Sequence, residues 1–129
     1  MRMIKREIEQ SLTGLTRNGE SLVAHFLFTE DFIGFQGHFP GKKVLPGVCQ
    51  IQCVLTMIEK AHKLPVFLKE IMVAKYMSPI RPGEKITCTC SDLQKRNADQ
   101  VVKAVITKEN AKISELKLRF RFAENTEAN

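Results

Sequence analysis

The chain has 129 residues, 43% of them hydrophobic, which suits one compact core and leaves no room for a second. Its 20 Lys and Arg outweigh 14 Asp and Glu, and the formal net charge of +6 favours acidic partners. Nucleic acid is not expected among them: there is no Trp, only one Tyr, and the basic residues are scattered rather than interleaved with aromatics.

The first ten residues carry Arg2, Lys5, Arg6, Glu7 and Glu9 and no apolar stretch, so no secretory leader is expected. No segment approaches the ~20 apolar residues of a membrane span, so a cytoplasmic chain with reduced cysteines is expected. Residues 3–13 read as a mixed, amphipathic opening strand. In 21–29, Leu22, Ala24, Phe26 and Phe28 alternate with Val23, His25 and Leu27, the period of a strand. One long helix is predicted over Pro46–Lys63, with Pro46 at its first position, where no N–H is needed. No charged residue occurs from Val44 to Ile58; Val48, Ile51, Leu55 and Ile58 form one stripe, which Cys49, Cys53 and Met57 widen. A helix apolar around most of its circumference is a buried helix.

Strands follow. In 66–77, Phe67, Ile71, Val73 and Met77 alternate with Leu68, Met72, Ala74 and Tyr76, before Pro79, Pro82 and Gly83 break the chain. Ile86, Cys88 and Cys90 alternate with Lys85, Thr87 and Thr89. Residues 91–99 read as an exposed loop, 101–107 as a β-branched strand, and Asn110 as a hairpin turn. In the last strand Leu116, Leu118, Phe120 and Phe122 oppose Lys117, Arg119 and Arg121. The expected fold class is α+β: one long buried helix wrapped by a curved antiparallel sheet of about five to six strands, as a single domain over 1–123 with a flexible tail over 124–129. Such a sheet leaves open edges, which a dimer would pair. Cys49 and Cys53 share a helix face and Cys88 and Cys90 a strand face; zinc-site spacing is absent, and buried thiols with no metal are expected.

The chemistry concentrates in Gly37-His-Phe-Pro-Gly-Lys-Lys-Val-Leu-Pro-Gly-Val48, a Gly/Pro-framed loop that runs straight into the helix. His38 is the general-base candidate, because imidazole titrates near neutral pH. Gly47 falls in the first helical turn, where unpaired N–H groups and the helix dipole suit an oxygen that gains negative charge. A tight structural loop is the plainer alternative for the same residues. His25, within a strand, and His62, near the charged helix end, read as structural or solvated.

That stretch, with Lys75-Tyr-Met-Ser-Pro-Ile-Arg-Pro-Gly-Glu84, resembles the signature of the β-hydroxyacyl-carrier-protein dehydratases of bacterial type II fatty acid synthesis, and the likeness anchors Phe35 to about Glu84. The family fold is the hot-dog, usually dimeric. The resemblance implies dehydration of a 3-hydroxyacyl thioester to the trans-2-enoyl thioester. His38 would be the base at C2, and the Gly47 N–H would polarise the thioester carbonyl. Phe39, Pro40, Val48 and Tyr76 would line the substrate path. Sites of this family span the dimer interface, and no cofactor or metal is implied. The substrate arrives on the phosphopantetheine of an acidic acyl carrier protein, for which Lys42, Lys43, Arg81, Arg119 and Arg121 are the candidate contacts.

The pattern breaks at Gln52, fourteen residues after His38, where the family carries Glu or Asp. An amide donates or accepts a hydrogen bond but delivers no proton. Glu59 is no substitute: seven residues further along the helix, it lies ~10 Å away. The chain is also expected to lack the N-terminal helix common in these dehydratases. Three readings follow. The first is a dehydratase in which His38 serves both steps and Gln52 orients the leaving hydroxyl, in fatty acid or specialised polyene or pigment synthesis. The second is a non-catalytic or half-site subunit that pairs with a carboxylate-bearing paralogue. The third is a hot-dog acyl thioesterase. A homodimer is expected, with a higher oligomer or a heterodimer with a paralogue as alternatives.

Overall fold

The computed structural model describes residues 2–37, 39, 41–96 and 98–124. The chain opens on a helix, α1 (Arg2–Ser11), not on the expected strand. Ile4 and Ile8 recur at helical spacing; Ile8 is fully buried and Ile4 packs on the same core. The charged residues between them pin α1 in place: the Glu7 carboxylate accepts the Ile33 N–H at 2.9 Å. The elements that follow are β1 (Leu12–Asn18), β2 (Ser21–Leu27), a 3₁₀ turn (Ile33–Phe35), α2 (Gly47–His62), β3 (Val66–Tyr76), β4 (Lys85–Arg96), β5 (Asp99–Lys108) and β6 (Ala111–Phe122).

The six strands form one sheet in the order β1-β2-β4-β5-β6-β3, antiparallel throughout, so β1 and β3 are its edges. The sheet wraps α2 in the hot-dog arrangement. Phe26, Ile86, Cys88, Ala104, Ile106, Leu116, Leu118 and Phe120 form one core with Cys49, Ile51, Cys53, Val54, Leu55, Met57 and Ile58 of α2. All four cysteines are free and buried. Val48 departs from the predicted stripe: it is 54% exposed, because the sheet does not reach the outer face of the first helical turn. The helix ends at Lys63, whose left-handed backbone (φ 56°) turns its N–H onto the Glu59 carbonyl at 2.7 Å.

The predicted loop at 91–99 is instead the distal half of a hairpin: β4 continues to Arg96, with an irregular register between Ser91 and Gln94, and β5 begins at Asp99. Its mostly polar composition carries no apolar alternation. Asp99 anchors that ribbon: its carboxylate accepts from Arg121 Nε at 2.8 Å and from Arg119 Nη1. The Arg121 and then the Arg119 hydrogen bonds hold the Asp99 carboxyl below its ordinary range. A carboxyl with a lowered folded pKa contributes stability above its unfolded value of about 3.9, and that stability is lost as pH falls through the folded value. Asp99→Asn is therefore expected to melt below wild type at pH 7. The gap should narrow below about pH 4 and close in stronger acid; a gap independent of pH in thermal melts would refute the ion-pair account.

The two ends of the molecule differ. At one end main-chain bonds tie the loops together: Gly83 N–H to the Phe28 carbonyl, Leu45 N–H to that of Ile80, and Met77 N–H to that of Ile113, each 2.8 Å. Lys108 Nζ reinforces this end, with the Pro79 carbonyl and a Glu84 carboxylate oxygen both at 3.1 Å. The opposite end carries the Gly19 turn between β1 and β2, the β4–β5 hairpin and the C-terminal end of α2.

Candidate active site

The loop before α2 is shaped by a turn in which the Phe39 carbonyl accepts the Lys42 N–H at 2.9 Å. Gly41 sits in that turn at φ 79°, a backbone that side chains disfavour. His38 and Pro40 lie outside the described residues. Phe39 is 78% exposed. Leu45 is buried and, through its bond to Ile80, seats the loop on the segment after β3.

Pro46 is the cap residue of α2 rather than its first helical residue, and it makes no side-chain capping bond. Its carbonyl accepts the N–H groups of Cys49 and Gln50 at 3.0 and 3.2 Å, so Gly47 and Val48 occupy the first turn, where N–H groups have no intrahelical acceptor. Gly47 is required here for close approach rather than for φ: an added Cβ would lie 2.6 Å from Tyr76 Cζ. The Tyr76 hydroxyl donates to the Gly47 carbonyl at 3.2 Å, and partial burial raises its pKa. These two residues help wall a cleft of about 330 Å³, with Leu45, Pro46, Gln50 and Met77 among others.

Gln50 was not singled out from the sequence. It is 3% exposed, and its Oε1 accepts from the fully buried Ser114 hydroxyl at 2.6 Å. The available signal was an amide inside the charge-free run, one helical turn after Gly47.

Gln52 is half-buried, five residues after Gly47 and roughly 7.5 Å along the axis. Its Nε2 donates to Thr56 Oγ1 at 3.1 Å, and Thr56 is fully buried. Val48, Gln52 and Thr56 follow at four-residue spacing on one face, whose outer end is uncovered. Glu59 is occupied elsewhere: it accepts the Val66 N–H at 2.8 Å and pairs with Lys5 at 3.2 Å.

The basic candidates split into two groups. Lys42, Lys43 and Arg81 flank the loop and the segment bonded to it, at the cleft end; Lys43 Nζ reaches the Glu30 carbonyl at 3.3 Å. The Arg81–Glu84 turn is closed by the Glu84 carboxylate on the Arg81 N–H at 2.6 Å. Arg119 and Arg121 are not brought to the cleft. They pair with Asp99, and Arg119 also with Glu70 at 3.1 Å; Arg119 lies opposite Glu70 on β3, six residues from Tyr76 or roughly 20 Å along the strand. The other histidines are also remote: His25 Nδ1 meets Thr87 Oγ1 at 2.9 Å across β2 and β4, and His62 packs on the Phe122 ring. Burial, with Arg17 as a lesser cause, lowers the His62 pKa. Among the described residues no cluster of His, Cys, Asp or Glu could hold a metal ion, and no helix is long and apolar enough to cross a membrane.

A family model for ApeI-like dehydratases matches residues 15–117. The chain belongs to the ApeI-like dehydratase family. The match takes in the Gly/Pro loop, all of α2, the Tyr76–Glu84 segment and most of β6. Among curated relatives of this ApeI-like chain, the 3-hydroxyacyl-[acyl-carrier-protein] dehydratase FabZ of Ehrlichia chaffeensis is 33% identical over 92 residues, which cover 66% of the chain and 62% of that relative. The alignment thus spans less than two thirds of that FabZ. FabZ of Pediococcus pentosaceus is 31% identical over 111 residues, covering 79% of the chain and 73% of the relative. In fold, the ApeI-like chain is similar to a chain of the dehydratase heterocomplex ApeI:P from Xenorhabdus doucetiae, with a TM-score of 0.72 and 17% identity over 85% of this chain and 96% of that one.

Proposed function

We propose that this ApeI-like protein dehydrates a 3-hydroxyacyl thioester carried on an acyl carrier protein to the trans-2-enoyl thioester. The observation that carries this reading is the start of α2. Gly47 opens the helix behind a proline with no side-chain cap, at a cleft beside the signature loop, so first-turn N–H groups are left for a ligand oxygen. In this reading the thioester carbonyl takes the Gly47 N–H, which stabilises the charge that builds on oxygen as C2 loses its proton to His38. The C2–C3 double bond then forms and the C3 hydroxyl leaves as water, with His38 returning the proton. Gln52 holds that hydroxyl. Because its Nε2 is turned onto Thr56, its Oε1 remains as an acceptor for the hydroxyl proton.

The site is completed by a second subunit along β3. That edge strand is exposed on most of its length, with Phe67 at 55%, Ile71 at 48% and Tyr76 at 45%. Met77 just beyond it, and Phe39 and Val48 beside the cleft, add to the exposed apolar surface. A long apolar strand edge invites pairing, and we infer a homodimer joined there. The carrier protein docks its acidic surface on Lys42, Lys43 and Arg81, with its phosphopantetheine passing Phe39 and Pro40 toward Val48.

His38→Ala is expected to lower turnover of a 3-hydroxyacyl carrier substrate by at least about 10²-fold, since general base catalysis contributes that much or more. Enoyl product measured by the ultraviolet absorbance of the conjugated thioester or by the mass shift of the carrier, and equal in both proteins, would sink the assignment of His38. Free thiol without enoyl product would indicate a thioesterase instead. A second reading is favoured by Gln52 and by the assembly of its structural neighbour as a heterocomplex: this chain supplies half a site to a paralogue with a helix carboxylate. Turnover that is absent in the homodimer and appears on mixing with such a paralogue would select it.

A further inference from the structure

We propose that Gln50 contacts the substrate: its side-chain amide N–H donates to a carbonyl oxygen of the acyl-thioester arm in the cleft between Pro46–Gly47 and Tyr76–Pro79. This deepens the dehydratase reading and rests on it for the identity of the ligand. A buried amide requires partners at both ends. One end is satisfied: the Ser114 hydroxyl donates to Oε1 at 2.6 Å, and Ser114 is itself fully buried. That bond also orients the amide, because a hydroxyl that donates to Oε1 turns the N–H groups the other way. For Nε2 no acceptor is found among the described residues, and it does not count among their buried side-chain nitrogens that lack a partner. The residue walls the cleft together with Gly47.

The rest of that wall leaves little else to recognise a carbonyl. Val44, Leu45, Met77 and Pro79 offer apolar surface, the Tyr76 hydroxyl is already engaged with the Gly47 carbonyl, and Ser78 is the other hydroxyl residue of the lining. Gln50 follows Gly47 by three residues, so both sit on one side of the helix, and helical side chains lean back toward the N-terminus. The amide and the first-turn N–H groups therefore serve the same opening. An acyl-pantetheine arm presents two carbonyls at such a site, that of the thioester and that of the adjoining amide. Both ask for the same donor.

The test uses three unreactive probes that lack a 3-hydroxyl: butyryl-N-acetylcysteamine thioester, with both carbonyls; the butyl thioether of N-acetylcysteamine, with only the amide; and S-methyl thiobutyrate, with only the thioester. Binding is followed by NMR titration of the full chain, with the Gln50 side-chain amide resonances as a direct reporter and thermal melting as a measure of stability. Gln50→Met leaves the Ser114 hydroxyl without its acceptor, so Gln50→Met/Ser114→Ala, which replaces both partners by apolar groups, is measured beside it. The expected result is movement of the Gln50 amide resonances in wild type and at least tenfold weaker binding by both variants. That weakening should appear only for probes that carry the contacted carbonyl, which identifies it. Variants that melt lower yet bind every probe as wild type does would make the pair a structural tie between α2 and β6 and overturn the proposal. Gln50 resonances that stay still at saturation, or a wild type that binds no probe, would overturn it as well. Probe binding through Gln50 in a protein that dehydrates no 3-hydroxyacyl thioester would support the contact while removing the proposed reaction, so the two failures are distinct.

Discussion

Replacing Gln52 by Glu is expected to raise kcat for dehydration by about 10²-fold, the lower end of what a positioned general acid contributes, or about 3 kcal/mol of barrier. The surroundings can accept the change. Gln52 is half-buried on a helix face whose outer end is open, and its side-chain partner among the described residues, the Thr56 hydroxyl, can turn from acceptor to donor and hold a carboxyl in the same place. The variant should also gain a feature that wild type lacks. Its carboxyl must be protonated to protonate the leaving hydroxyl, so activity should fall as pH rises through the pKa of that group. A pH–rate profile with no new descending limb, together with an unchanged kcat, would remove Gln52 from the site.

Ile71→Lys is expected to convert the proposed dimer to monomers and to reduce turnover by at least about 10²-fold, because each site draws on two subunits in that arrangement. Ile71 lies near the middle of β3, paired with Leu118 on its inner side, and is 48% exposed. A two-fold interface repeats every change, so one substitution places two ammonium groups in the same contact. Like charges in such a contact cost several kcal/mol, while the isolated subunit, where position 71 faces solvent, should keep its melting temperature. Sedimentation checks the assembly, and Ile71→Val serves as the control that retains it. A lysine variant that remains dimeric and active would exclude β3 as the interface.

How far the sequence could be read depended on where each pattern found a partner. The buried helix and the last strand were legible because both faces of their patterns are answered within the chain: Cys53, Val54 and Met57 meet the sheet, and Leu116, Leu118 and Phe120 meet the helix. The residues at 3–13 were misread because only Ile4 and Ile8 mark the buried side of α1, too few to separate a helical period from an irregular alternation. The ribbon at 91–99 was misread because its mostly polar residues lack the apolar alternation that strand reading depends on. Val48 looked like core because an exposed valine on a largely apolar helix carries the same pattern as a buried one. In the site, the motif led to the Gly47 helix start and to Gln52. It could not disclose Gln50, whose importance depends on Ser114 on a strand 64 residues away.

The concentration of main-chain ties at one end has a practical side. Lengthening the chain at Phe28, Ile80, Gly83 or Ile113 would disturb bonds that hold the cleft loops in place. The Asn18–Ser21 connection is different. Gly19 is exposed with nothing near its would-be side chain, and Ser21 leads into a strand whose other end, at Leu27, pairs with Lys85 beside the cleft loops. A reporter peptide or an immobilisation handle spliced into that turn would sit a full strand length from the candidate site. It is the place to attach this protein to a surface, or to a carrier protein, without touching what it does.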